Sequence, residues 1–129
     1  MGGKLMLDTN IVISLFAGDE SVEKLIGEAE LIIVPAVVLG ELYYGALNSR
    51  LKEQNLARIN EFVSKCPVIG TNAATALEYG RIKNNLKQKG TPIPENDIWI
   101  AALASQYGFR VFTRDEHFLK IDGIELCEV

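Results

Sequence analysis

The sequence predicts an α/β fold, a mainly parallel sheet of about five strands covered by helices on both faces. Short apolar runs alternate with longer segments of helical period, and Gly, Pro, Asn and Asp punctuate the joins. The chain has 129 residues, 48% hydrophobic and 23% charged, the size and composition of one globular domain. Residues 1–129 are therefore expected to form a single domain, with no linker, internal repeat or low-complexity tract.

The elements follow in order. Lys4 to Asp8 (KLMLD) is an apolar run ended by an acid, and Thr9 and Asn10 can cap a helix running through Ser14 to Phe16. Gly18 and Asp19 break that helix. Ser21 to Ala29 then places Val22, Leu25, Ile26 and Ala29 at the spacing of an amphipathic helix. Leu31 to Val34 (LIIV) suits a buried strand, with Pro35 expected in the first turn of the helix Ala36 to Leu47. Lys52 to Lys65 repeats the helical period at Leu56, Ile59, Phe62 and Val63, and Pro67 to Ile69 reads as a third strand. Thr71 or Asn72 caps a long helix to Lys89, and Gly90 stops it. In TPIPEN, Thr91 to Asn96, two prolines bar a helix, leaving Asn96 to cap Asp97 to Tyr107. Arg110 to Phe112 is a fourth strand, Asp115 to Leu119 a helical turn and Ile124 to Leu126 a fifth strand.

Four acids stand where packing gives no reason for them. Asp8 ends a strand, where open α/β sheets bind ligands, and with Thr9 and Asn10 available it is surplus to capping. Glu41 sits inside the apolar helix VVLGELYYGAL, where a buried charge needs a partner, unless it falls on an exposed stripe. Asp97 opens an almost wholly apolar helix; it is either a metal ligand or a first-turn acid favoured by the helix dipole. Asp115 repeats the Asp8 pattern, a strand and then Thr113 before the acid, with a helix cap as the alternative. Carboxylates converging in one crevice repel one another unless cations intervene, and hard oxygen donors select Mg²⁺ or Mn²⁺ over zinc.

Other chemistries are excluded or disfavoured. His117 is the sole histidine and reads as surface or structural, so triads and His-rich zinc sites lack support. Neither a GxxxxGK[ST] loop nor GxGxxG occurs. A phosphatase with an Asp nucleophile would want a second acid where Asn10 stands. Cys66 and Cys127, widely spaced and without a CxxC, read as buried reduced thiols. Leu31 to Leu42, the longest apolar stretch, is too short for a membrane span, and MGGKLMLDTN lacks a signal-peptide core, so a cytoplasmic location is expected. A net charge of −4 would repel nucleic acid, but cations bound by the acids reverse that locally.

Strand-end LDTN with Asp8, GELYYG with Glu41, NDIWIAALA with Asp97 and VFTRDEHF with Asp115 together resemble, in order and spacing, the PIN-domain nucleases, and more closely the VapC-like toxins of toxin–antitoxin pairs. The resemblance covers residues 4–126. It implies a three-layer α/β/α sandwich, Mg²⁺- or Mn²⁺-dependent endoribonuclease activity on RNA, homodimers, and inhibition by an antitoxin protein. Carried over by position, Asp8, Glu41, Asp97 and Asp115 look like the catalytic, metal-binding acids, and Asn10 and Thr113 resemble the polar residues supporting them. Arg50, Arg81, Lys83, Lys87 and Arg114 are candidates for guiding RNA, or a solvated helix face. Tyr43, Tyr44 and Leu47 offer either an apolar face to a partner or core packing. A PIN-like scaffold without turnover and a DNA-directed nuclease are the alternative functions.

Overall fold

A computed structural model describes residues 3–129; Met1 and Gly2, at the start of the stretch read for a signal peptide, lie outside the described residues. Five strands, β1 (Lys4–Leu7), β2 (Leu31–Pro35), β3 (Val68–Ile69), β4 (Arg110–Phe112) and β5 (Leu126–Cys127), form one sheet in the order β3-β2-β1-β4-β5. Every neighbouring pair is parallel, with Leu5 opposite both Ile32 and Arg110. Six α-helices connect them: α1 (Thr9–Phe16), α2 (Glu20–Glu28), α3 (Ala36–Leu47), α4 (Lys52–Lys65), α5 (Ala73–Lys89) and α6 (Glu95–Tyr107). Parallel crossovers are right-handed, which puts α1 to α4 on one face and α5 and α6 on the other. The fold is the α/β/α sandwich that the sequence predicts.

Central β1 is paired with β2 and β4 and has helices over both faces, so its side chains meet protein on either side of the sheet; Leu5, Met6 and Leu7 are fully buried. Chain order reverses between β1 and β4, since β2 and β3 lie to one side and β4 and β5 to the other. The carboxyl ends of β1 and β4 therefore flank the crevice in which open α/β sheets place their ligands.

Local chemistry explains most element ends. Asn72 and Thr75 form a reciprocal capping box at the start of α5, and Gly90 and Gly108 close α5 and α6 in the left-handed conformation that glycine adopts without strain. Three expectations need correction. Pro35 closes β2 and precedes α3 rather than entering its first turn, because its backbone is extended. Asn96 does not cap α6: Pro94 fixes the entry to that helix one residue before Glu95, leaving Asn96 exposed inside the first turn. Asp8 itself caps α1, accepting from the Thr9 N–H, so Thr9 and Asn10 are helical residues.

Both cysteines are buried free thiols, and burial pushes the Cys66 thiol up to about 11 from 9.0. At about pH 8, Cys66 is expected to react with an aromatic disulfide reagent about a hundredfold more slowly in the native protein than in guanidinium, following its thiolate fraction. Equal rates, read from thiolate release, would show the thiol exposed.

Candidate active site

Four polar or charged residues are buried among the described residues, Asp8, Thr75, Asp97 and Thr113, and all but Thr75 meet at the β1–β4 crevice. Asp8, one residue beyond β1, uses its two carboxylate oxygens differently. Oδ1 accepts the Thr9 N–H at 2.8 Å and Oδ2 accepts the Thr113 hydroxyl at 2.7 Å. Thr113, one residue beyond β4, also receives the Asp115 N–H at 2.9 Å. Its hydroxyl thus fixes two acids from one strand end.

Asn10, in the first turn of α1, donates to Asp8 Oδ2 at 3.4 Å and Thr113 Oγ1 at 3.5 Å, and accepts the Arg114 N–H at 3.2 Å. Asp97 enters from the first turn of α6, which packs against α5 and the sheet. Asp115 caps a short 3-10 turn, Glu116–Lys120, by accepting the His117 N–H at 2.9 Å. That turn swings the imidazole back over the site. His117 Nδ1 lies 2.9 Å from Asp97 Oδ2 and 3.0 Å from Asp115 Oδ1.

His117 therefore sits among the acids, a contact that its reading as a surface or structural residue did not anticipate. A donor atom each from Asp97, Asp115 and His117 lie within 4.8 Å of one another, close enough to share a metal ion. The signal was local: Asp-x-His at a strand-to-helix elbow, where an N-capping acid draws the backbone two residues on towards its own side chain.

Glu41 stands apart. It is exposed on α3, not buried, which removes the desolvation argument for it; it joins the site through the Thr9 hydroxyl, which donates to Glu41 Oε1 at 3.0 Å. Of the basic candidates, Arg81 pairs with Glu78, Lys83 with Glu95, and Arg114 with Asp19 and Ser14, while Arg50 and Lys87 are exposed.

Burial raises the Asp8 carboxyl above its ordinary pKa, against the Thr113 and Thr9 hydrogen bonds, and the charge of Asp115 adds to the rise. Burial also raises Asp97, with the His117 hydrogen bond opposing and the charges of Asp8 and Asp115 reinforcing. The crevice concentrates carboxylates whose charges raise one another's pKa, with His117 opposing. That is the donor set of a hard divalent cation.

Next to the acids, α1, α3 and α4 enclose an apolar groove of about 310 Å³ lined by Ile13, Phe16, Leu42, Ala46, Arg58 and Ile59. Arg58 lies over the Phe16 ring, 5.6 Å from its centroid, and donates to the Phe16 carbonyl.

The sequence profile of the PIN domain matches residues 5–124. The chain belongs to the PIN-domain family. Its VapC-like character is equally plain. Ribonuclease VapC2 of Haemophilus influenzae is 38% identical over 107 residues, 81% of each chain. The tRNA(fMet)-specific endonuclease VapC of Salmonella typhimurium is 32% identical over 126 residues, 95% of this chain and 96% of that one. Among solved structures, VapBC2 from Rickettsia felis, bound to a DNA fragment from their promoter, superposes with a TM-score of 0.88 at 30% identity, covering 98% of both chains. In this PIN domain, no helix among the described residues is long and apolar enough to cross a membrane.

Proposed function

We propose that this PIN domain is a metal-dependent endoribonuclease, the cytoplasmic toxin of a toxin–antitoxin pair. The observation that carries the proposal is the convergence of Asp8, Asp97 and Asp115 at the β1–β4 switch point, two of them with raised carboxyl pKa values. Names of the relatives support the reaction class, ribonuclease and tRNA(fMet)-specific endonuclease. Asp8, Glu41, Asp97 and Asp115 would hold Mg²⁺ or Mn²⁺, with His117 beside them as a nitrogen donor. When bound, such a cation supplies Lewis acidity towards a phosphodiester and lowers the pKa of water.

The protein's own groups set the geometry. Thr113 and Thr9 aim the two oxygens of Asp8, Asn10 ties α1 to the β4 loop, and Arg114 clamps that loop to the start of α2 through Asp19. Rigid elements carry each acid, which keeps them convergent despite mutual repulsion.

Solved VapBC complexes support an antitoxin as partner. The groove between α1, α3 and α4 suits such a protein: it is apolar, open, and has Glu41 on its rim next to the acids. A homodimer is expected from the family resemblance.

Incubating the purified chain with matched RNA and DNA strands and Mn²⁺, with and without EDTA, tests the proposal. RNA should be cut, DNA spared, and EDTA should stop the reaction. DNA cleavage would make it a DNA-directed nuclease, and Mn²⁺ binding with no cleavage of either would leave a scaffold.

His117→Gln is expected to weaken Mn²⁺ binding about tenfold, as measured by calorimetry, since outer and mixed-donor partners commonly contribute that much. Unchanged affinity would return His117 to a structural role.

A further inference from the structure

An open cleft of about 570 Å³ adjoins the acids, lined by Thr9, Val37, Gly40, Glu41, Tyr44 and Asn96. Val37, Gly40, Glu41 and Tyr44 recur at one-turn spacing along α3 and so form one stripe. Thr9 and Glu41 tie this cleft to the acids through their hydrogen bond, and Asn96 is next to Asp97.

Three of its residues are otherwise unexplained. Tyr44 is 72% exposed, more than any other large hydrophobic side chain among the described residues, and its ring and hydroxyl have no partner among them. Its neighbour Tyr43, by contrast, turns inward and donates to Asn60. Asn96 neither caps α6 nor hydrogen-bonds to any described residue through its amide. Gly40 occupies a helix interior, where glycine destabilises relative to alanine, yet its φ is not left-handed. A Cβ at Gly40 would meet nothing within 4 Å, so packing does not demand glycine there. What the missing side chain leaves is room in the cleft.

We propose that this cleft is a nucleobase subsite, which positions a base flanking the scissile phosphate by stacking it on Tyr44, with the Asn96 amide facing the base edge. The inference rests on the ribonuclease reading above and names how that site would hold its substrate. A tyrosine face suits any base, and an amide offers both a donor and an acceptor. The volume lies within the range of small-ligand pockets.

The test uses the full chain with a fluorescein-labelled 2′-O-methyl RNA about ten nucleotides long, in Mn²⁺, read by anisotropy. Tyr44→Ala and Gly40→Leu are each expected to weaken RNA binding roughly tenfold, with Tyr44→Phe close to wild type. Calorimetric Mn²⁺ affinity should match wild type in all three variants, and the melting temperature should match it in both Tyr44 variants and be no lower in Gly40→Leu. Wild-type protein that fails to bind Mn²⁺ would sink the nuclease reading. Normal Mn²⁺ binding with unchanged RNA affinity in Tyr44→Ala and Gly40→Leu would sink the subsite alone. A change of oligomeric state on size exclusion, accompanying the RNA defect, would overturn it in favour of contact between two copies.

Discussion

Asp8→Asn is expected to lower Mn²⁺-dependent RNA cleavage about a thousandfold while raising the melting temperature of the cation-free protein. The activity loss follows from removing a buried carboxylate that, on the reading proposed above, holds the cation; such a group is worth several kcal/mol, each 1.36 kcal/mol being about tenfold in rate. The stability gain follows from the sign of the Asp8 shift. Its folded pKa is raised above the ordinary 3.8, chiefly by burial. A raised group stabilises the fold below the unfolded pKa, and that contribution is lost as pH rises through the folded value. At neutral pH without a cation, the ionised carboxylate is therefore a net strain on the fold.

Asparagine keeps the shape and remains a good N-cap for α1, but has no charge to bury. In EDTA the melting difference between variant and wild type should shrink as pH falls from neutrality towards about 4. Saturating Mn²⁺ should reverse the order, since a ligand at a hundred times its Kd adds about 2.7 kcal/mol to the protein that binds it. Differential scanning fluorimetry with and without Mn²⁺, beside a cleavage assay, checks both halves. A variant less stable than wild type in EDTA, at every pH, would mean the capping and hydrogen-bonding roles of Asp8 outweigh its burial.

Thr113→Val is expected to reduce cleavage about 10- to 100-fold, the usual effect of losing a group that orients ligands. The substitution is nearly isosteric but deletes a hydroxyl with two duties. Asp8 Oδ2 loses its 2.7 Å donor, and the Asp115 N–H loses its 2.9 Å acceptor. Both acids then take up wider ranges of position at the same moment. Thr113→Ser should restore most of the activity, because serine returns the hydroxyl without the methyl. Serine and valine variants with equal activity would show that the side chain's packing matters rather than its hydroxyl.

Strands and helices were legible because each carries its own period: the apolar runs at Leu5–Leu7 and Ile32–Val34 are strands in the structure, and the amphipathic spacing of Val22, Leu25 and Ile26 marks α2. Stop signals were as clear at Gly90 and Gly108, where only a left-handed residue ends the helix. Boundaries failed where two residues competed for one role. Asp8 took the cap expected of Thr9 or Asn10 by accepting the Thr9 N–H, whereas Pro94 displaced Asn96 as the entry to α6 through its fixed backbone angle, with no side-chain capping bond.

The candidate site shows the same division. Asp8, Asp97 and Asp115 could be named from their places on strands and helix starts. Their convergence with His117 could not, since it depends on a 3-10 turn that rotates the imidazole and on α6 crossing above β4. Glu41 was named for the wrong reason: its helix is apolar, but its own position faces outward, and only Thr9 reveals its link to the crevice.

The central position of β1 has a consequence in time. Asp8 and its hydrogen-bond partner Thr113 are 105 positions apart, and β4, the strand that brings Thr113 alongside, is the fourth of five in chain order. At a synthesis rate of about 5–20 residues per second, Asp8 waits roughly 5–20 seconds on the nascent chain before that partner exists. β2 can pair with β1 long before then, so an incomplete chain can acquire a partial sheet but not an assembled site. The crevice can therefore assemble only once the ribosome has passed Thr113, however early its first acid was made.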